Sequence, residues 1–435
     1  MEYFHSVLLD REKCHGCTNC ISHCPTEAIR VKHGKAKIIK ERCIDCGECI
    51  KVCQSHAKIA AADDFAALKE YKYNVAMPAP SFYSQFRSEI SVDTILTAFL
   101  KIGFDDVFEV ARGAEYISRA TRELMASETL KKPVISSACP AVLRLIRERF
   151  PNLLENILPL ISPMEAAAIL AREEARRKTG LSDGDIGIFF ITPCPAKVTS
   201  IKSPLTLEKS NVSGAIAAKD AFAKIRPIIE TITDVKPLSV SGRDGIIWAK
   251  SGGECIGTGL EDCMSVDGIH NVITVLEEIE YGKVNTIDFI ELSACTSGCS
   301  GGALNIVNPF LAARRITQQS KKTKKLDTPS EFDITGLKWE KEVSPNIPTA
   351  LDGDLETALI KMEEIEQVYS RFPKLDCGSC GAPSCKALAE DIVRGFGSEN
   401  DCVFRMRERV SELAKELFDL NESHKIKGQD INDEA

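Results

Sequence analysis

Residues 14–24 read CHGCTNCISHC and residues 43–53 read CIDCGECIKVC. Each run spaces four cysteines by 3, 3 and 4 positions, and the second repeats the first 29 positions later. A run of this kind wraps three thiolates around one iron–sulfur cube and turns its fourth toward a neighbouring cube. The spacing therefore assigns Cys14, Cys17, Cys20 and Cys53 to one 4Fe–4S cluster. Cys43, Cys46, Cys49 and Cys24 go to a second. Structural zinc usually takes two cysteine pairs separated by a long loop, which neither run offers. Two adjacent cubes make an electron relay. His15, His23 and His56 lie among the cysteines and read as exposed loop residues, because the cube positions are already filled. Between the runs, KAKIIK at residues 35–40, after Gly34, reads as a hairpin strand.

The rest of the composition bounds the answer. A chain of 435 residues suggests two or three domains. With 44% hydrophobic and 27% charged residues it reads as globular. Its 18 cysteines exceed what a core needs, and disulfide frameworks belong to short secreted chains. Residues 1–10 are too short and polar for a signal peptide, and no run approaches eighteen apolar residues. A cytoplasmic, metal-binding protein with no membrane segment is expected. The net charge of −8 argues against nucleic acid and leaves room for a soluble redox partner or a small uncharged substrate.

Organisation follows the cysteines. Eight lie within residues 14–53, six are spread over 139–299, and four lie within 377–402. The middle stretch alternates short apolar runs with helical periodicity. Val75 to Met77, Val134-Ile135, Ile186 to Ile191 and Ile287 to Ile290 read as strands. Val92 to Leu100, the segment opened by Pro140, and the alanine-rich segment after Ser162-Pro163-Met164-Glu165 read as helices. Serine three residues before glutamate, with proline between, predicts a capping box. The fold class expected is α/β with a largely parallel sheet. It is flanked by an α+β two-cluster module and a small C-terminal Fe–S module with a helical tail. The expected boundaries are 1–64, 65–365 with a surface excursion at about 314–350, 366–404, and 405–435. The KKTKK run at 321–325 reads as a solvated face, with partner docking as the alternative.

Cys139, Cys194 and Cys295 each follow directly on a predicted buried strand, and Cys299 comes four residues after Cys295. Ligands of α/β sheets gather at the carboxyl ends of strands. These four thiols are therefore candidates for a further cluster; the alternative is four ordinary core cysteines.

Ser136-Ser137-Ala138-Cys139-Pro140, Thr192-Pro193-Cys194-Pro195-Ala196-Lys197 and residues 291–302, ELSACTSGCSGG, resemble the three signature loops of FeFe hydrogenases. Ser162-Pro163 and Ser251-Gly252-Gly253 resemble two further segments of the same family. Together with the N-terminal runs, which are similar to a bacterial two-cluster ferredoxin, the resemblance covers roughly residues 1–315. It implies a two-lobed hydrogenase domain with an H-cluster between its lobes. That cofactor is a 4Fe–4S cube joined to a diiron unit carrying CO, cyanide and an amine-containing dithiolate. By position, Cys139, Cys194, Cys295 and Cys299 would hold the cube and Cys299 would be the bridge. Lys197 would donate to a cyanide, a task that suits a compact three-proton cation.

The chain also departs from the family pattern. The family's proton-passing cysteine is replaced by Ala138, and a serine of its proton path by Leu158. Glu123 is the single carboxylate where an acidic pair is expected, and Thr192, Ser293 and Met164 replace other pocket residues. A positioned acid–base group contributes about 10²–10⁴-fold, so turnover should be slow on that scale. The pattern resembles the sensory, group D-like branch of the family with a C-terminal 4Fe–4S domain.

Cys377, Cys380, Cys385 and Cys402 form that last module, making three accessory 4Fe–4S clusters in all. A structural zinc would also suit four thiolates. Cys255 and Cys263 remain; they read as buried apolar cysteines. The sharper alternative makes Glu254 and Cys255 a substitute proton path. The terminal helix has a seam at Met406, Val410, Leu413, Leu417 and Leu420. It could pack on its own domain or join a homodimer or partner.

The expected function is slow, reversible H2 oxidation and proton reduction by an iron hydrogenase serving H2 or redox sensing. Its partners would be H2, protons, a soluble electron carrier or signalling protein, and the maturation enzymes that install the diiron unit. Two alternatives stay open. One is a signalling protein with incidental catalysis; the other is a hydrogenase-like Fe–S redox or assembly protein lacking the diiron unit.

Overall fold

The computed structural model describes residues 3–326, 334–346 and 350–429, with side chains to residue 421. Contacts divide the chain into two compact units. The first comprises Met1–Leu8, Cys43–Lys51 and Lys58–Ile347; the second comprises Leu9–Arg42, Val52–Ala57 and Pro348–Ala435. The N-terminal cysteine stretch, expected as one module over 1–64, is thus shared between them. Cys43, Cys46 and Cys49 lie in the first unit; Cys14, Cys17, Cys20, Cys24 and Cys53 lie in the second.

In chain order the strands are β1 (Val7–Leu9), β2 (Ile29–Lys32), β3 (Lys35–Ile38), β4 (Lys58–Ala60), β5 (Tyr73–Pro78), β6 (Asp106–Val107), β7 (Val134–Ile135), β8 (Ile186–Thr192), β9 (Gly214–Ala217), β10 (Cys263–Asp267) and β11 (Phe289–Ser293). The first unit contains two parallel sheets, ordered β6-β5-β8-β9 and β10-β11-β7. All seven residues of β8 are buried, as expected of a parallel strand covered on both faces. The rings of Phe99, Phe104 and Phe189 meet edge to face beneath it, at 5.8 and 6.3 Å between centroids. Burying each ring contributes roughly 1.5–3 kcal/mol.

Helix Val92–Lys101 buries Val92, Ile95, Leu96 and Phe99 on one side, and Ser91 caps it by accepting from the Thr94 amide at 3.0 Å. Helix Pro163–Thr179 starts as the sequence suggests, with Ser162 Oγ accepting from the Glu165 amide at 3.4 Å. The capping box is half-made, however. The Glu165 carboxylate turns away to accept from Ser210 Oγ at 2.6 Å and the Asn211 amide at 2.8 Å, tying the 210–211 loop to the helix start.

The surface excursion begins later than expected. Helix Pro309–Lys322 runs through its first part and buries Ala312, Ile316 and Ser320. Trp339 Nε1 donates to the Leu160 carbonyl at 2.7 Å and anchors the return. Residues 327–333 and 347–349 of the excursion, and the polar tail 430–435, lie outside the described residues.

In the second unit β2 and β3 form the expected antiparallel hairpin, pairing Val31 with Ala36. Its C-terminal part packs helices Leu355–Ser370 and Cys385–Val393 around Ile365, Phe372, Ala387, Leu388 and Cys402. The first of these helices was expected to close the hydrogenase domain; Ile365 assigns it to the Fe–S module instead. The terminal helix Val403–Gln429 leaves Met406, Val410, Leu413, Leu417 and Leu420 exposed, so its seam is not packed on its own domain. No described helix is long and apolar enough to cross a membrane.

Candidate metal centre

Strands from both parallel sheets aim their carboxyl ends at one cavity. β7 leads through Ser136, Ser137 and Ala138 to Cys139, β8 leads to Cys194, and β11 leads to Cys295 and Cys299. All four cysteines are free thiols and all four line the cavity. Close approach of two loops makes this convergence possible. A Cβ on Gly302 would lie 2.3 Å from the Pro193 carbonyl oxygen, so only glycine lets the Cys299 loop rest on the Cys194 loop. Thr192 Oγ1 braces the latter by accepting from the Cys194 amide at 3.1 Å.

Burial pushes the Cys194 thiol up, and the other thiols add to it while Lys197 opposes. Burial likewise raises Cys295, to about 12. To ionise, thiols buried in this way need a cation beside them. Four thiols on one cavity, Cys194 and Cys295 buried and Cys139 and Cys299 half-buried, suit an iron–sulfur cube, and the donor set fits the cube of an H-cluster.

Lys197 Nζ lies 3.7 Å from Cys299 Sγ. Burial alone would lower its pKa, but the surrounding thiolates, Cys299 first, hold it above the ordinary value. It borders a second cavity too, shared with Ala138, Ser162 and Met164. Pro163, Met164 and Ser293 line the first. Ala138 presents only a methyl group there.

Two carboxylates line the same cavity, Glu254 and Glu291. Glu254 is 4% exposed, and its Oε2 accepts from Ser136 Oγ at 2.6 Å. Glu291 accepts from the amides of Gly252, Glu254 and Cys255 at 3.0, 3.0 and 3.1 Å, gathering the turn that presents Glu254. Burial and then mutual repulsion raise Glu254, and burial raises Glu291 against those amide bonds. Both carboxyls therefore hold their protons to higher pH than an exposed carboxylate does. Glu291 is itself buried and pairs in register with Ser265, an exposed residue of β10.

Of the residues singled out in the sequence, Cys139, Cys194, Cys295, Cys299, Lys197, Ala138, Pro163 and Glu254 meet at the first cavity. Ser162 lies at the second. Cys255 does not serve as an acid: it is bonded to Cys263, and both are half-buried rather than core. Glu123 is paired with Arg119 at 2.8 Å on the surface, away from the site. Leu158 is buried in an apolar cluster.

Two residues escaped the sequence reading. Glu291 looked like the first letter of a signature loop; its place on the strand, four residues before a ligand, was the available signal. Lys51, two residues after Cys49, bonds Glu48 at 2.7 Å and is held protonated above its ordinary value, burial opposing and the Cys295 thiolate favouring.

Among the accessory cysteines one contact is duplicated. Cys24 Sγ accepts from the Ala28 amide at 3.2 Å and Cys53 Sγ from the Ala57 amide at 3.3 Å, so the duplicated runs repeat even this bond. His15, His23 and His56 are exposed, as expected.

Several known proteins are similar to this chain. Residues 72–225 and 211–303 match the family described as iron only hydrogenase large subunit, C-terminal domain. Residues 6–54 match a 4Fe-4S dicluster domain and residues 372–404 an Fe-S cluster family. The chain is 25% identical over 377 residues to the periplasmic Fe hydrogenase large subunit of Nitratidesulfovibrio vulgaris, covering 70% of this chain and 87% of that one. It is 25% identical over 381 residues to iron hydrogenase 1 of Clostridium pasteurianum, covering 70% and 66%. A solved FeFe hydrogenase HydA1 of Chlamydomonas reinhardtii is similar at 15% identity and TM-score 0.49, covering 65% of this chain and 99% of that one. With more than half its length inside the matching profile and iron–sulfur domains at both flanks, the chain belongs to the iron-only hydrogenase family.

Proposed function

We propose that the chain catalyses H2 ⇌ 2H⁺ + 2e⁻ slowly, at an H-cluster, and that it serves H2 or redox sensing in the cytoplasm. One observation carries the reading: four free thiols line one cavity beside a lysine whose Nζ is 3.7 Å from Cys299 Sγ.

When bound, the H-cluster supplies an open iron site for heterolytic cleavage of H2. Cys139, Cys194, Cys295 and Cys299 would hold its cube, with Cys299 as the bridge to the diiron unit. Lys197 offers three N–H donors to a buried anionic ligand such as cyanide. Met164, Pro163 and Ala138 keep water away from that face. Ala138 cannot pass a proton, so the two carboxylates of the cavity take the task. Glu254 receives the proton, oriented by Ser136 Oγ, and hands it to Glu291 beside the surface residue Ser265. Electrons leave through three accessory 4Fe–4S clusters to a soluble carrier or signalling partner.

A protein that senses and turns over only incidentally is the second reading, favoured by the methyl group of Ala138 at the cavity wall. Infrared spectroscopy after treatment with hydrogenase maturation enzymes decides the main proposal. CO and cyanide bands are expected; their absence in a protein with its cubes assembled rules out the H-cluster.

A further inference from the structure

Within the second unit, the C-terminal Fe–S module is fastened to the N-terminal cysteine module by contacts that span most of the chain. The guanidinium of Arg30 grips Asp391 with two bonds, Nε to Oδ2 at 2.6 Å and Nη2 to Oδ1 at 3.2 Å. Arg30 and Asp391 are each 6% exposed. Arg42 pairs with Glu390, which also accepts from Arg394 Nε at 2.8 Å. Buried bidentate pairs contribute little net stability compared with apolar packing, but they fix register, because either partner left alone is heavily penalised.

The contact also brings ligand loops together. The Val31 amide donates to the Gly381 carbonyl at 2.8 Å. A Cβ on Gly381, at φ +85°, would lie 1.7 Å from the Val31 carbonyl oxygen, so no other residue permits this approach. Gly381 follows Cys380 directly. Val31 pairs with Ala36, whose amide donates to Cys14 Sγ at 3.4 Å. Cys380 thus reaches Cys14 through one peptide step, one hydrogen bond, one strand pair and one N–H···S bond. On the other side, Gly378, next to Cys377, packs on Ile21, next to Cys20.

We infer that the cluster held by Cys377, Cys380, Cys385 and Cys402 exchanges electrons directly with the one held by Cys14, Cys17, Cys20 and Cys53. Arg30, Arg42 and Gly381 act as positioning residues. The step moves one electron: one cube goes from the 2+ to the 1+ state as the other returns to 2+, with no proton transferred. The inference rests on reading these eight cysteines as cube ligands and is independent of the diiron unit.

Full-length protein is reconstituted with iron and sulfide alone, reduced with dithionite, and studied by electron paramagnetic resonance. The wild type should show magnetic interaction between the two cubes. Cys380→Ser/Cys385→Ser, which removes the C-terminal cube, should leave the other cube's signal narrowed. Gly381→Val should narrow it equally at unchanged iron content. If Gly381→Val loses iron, Asp391→Asn replaces it, and Arg30→Met/Asp391→Leu, which restores apolar packing, should recover the interaction. An identical line shape in wild type and the cysteine double variant overturns the inference. So does full interaction in both Gly381→Val and Asp391→Asn. Neither result bears on CO and cyanide bands, and missing bands leave this test intact.

Discussion

Ser136 holds Glu254: its hydroxyl donates to Oε2 at 2.6 Å and accepts from the Ala138 amide at 3.2 Å. The serine therefore links the position where the family's proton carrier is missing to the carboxylate proposed to replace it. Replacing Glu254 with Gln keeps the shape and removes the proton site. Turnover should fall by about 10²–10⁴-fold, the usual contribution of a positioned acid–base group, with infrared bands unchanged. Full activity in this variant would show that protons take another route.

Protonation of the carboxylate pair should also register in stability. Both pKa values are raised in the fold, Glu254 to about 8 and Glu291 to about 7. The folded state binds protons that the unfolded chain releases above its ordinary carboxylate pKa. Their contribution is full below that ordinary value and is lost as pH rises through about 7 to 8. Unfolding measured from pH 5 to 9 should show falling stability, and Glu254→Gln/Glu291→Gln should flatten that part of the slope.

Lys197→Met removes the cation beside Cys299 and keeps the stem. The cube should still assemble, but retention of the diiron unit should weaken by about 10–100-fold, as for other residues that support a metal ligand. Infrared intensity per iron measures this. Lys197→Arg should not restore it, because a planar fork replaces a compact point charge.

Cys255 and Cys263 should matter to stability rather than to turnover. Their bond closes a short loop on the turn that carries Glu254. Cys255→Ser/Cys263→Ser should lower unfolding free energy by about 2–3 kcal/mol in a denaturant titration. Its H2 turnover should match the wild type, because no thiol is relayed through.

The candidate metal sites were legible because their cysteines stand at strand ends or in tight runs, where spacing alone constrains geometry. Cys139, Cys194, Cys295 and Cys299 needed only three short apolar runs to be placed. What stayed hidden depends on distance in sequence. Ser136 and Glu254 are 118 residues apart, and nothing local in either announces the bond. The Cys255–Cys263 bond was equally silent, since two free cysteines and one disulfide share a composition. Helix Leu355–Ser370 has periodicity that says it packs but not upon what; Ile365 answers that only in three dimensions. The half-made capping box at Ser162 failed for the same reason, because Ser210 and Asn211 outcompete the helix start for Glu165.

The Arg30–Asp391 clamp has a consequence for biosynthesis. Its partners are 361 residues apart. At ribosomal rates of about 5–20 residues per second, Arg30 emerges roughly 20–70 s before the carboxylate that neutralises it. The cysteine module that is translated first is therefore among the last parts to be finished. Cluster insertion into Cys14, Cys17 and Cys20 takes place either on an open, half-covered hairpin or only after the end of the chain has been made.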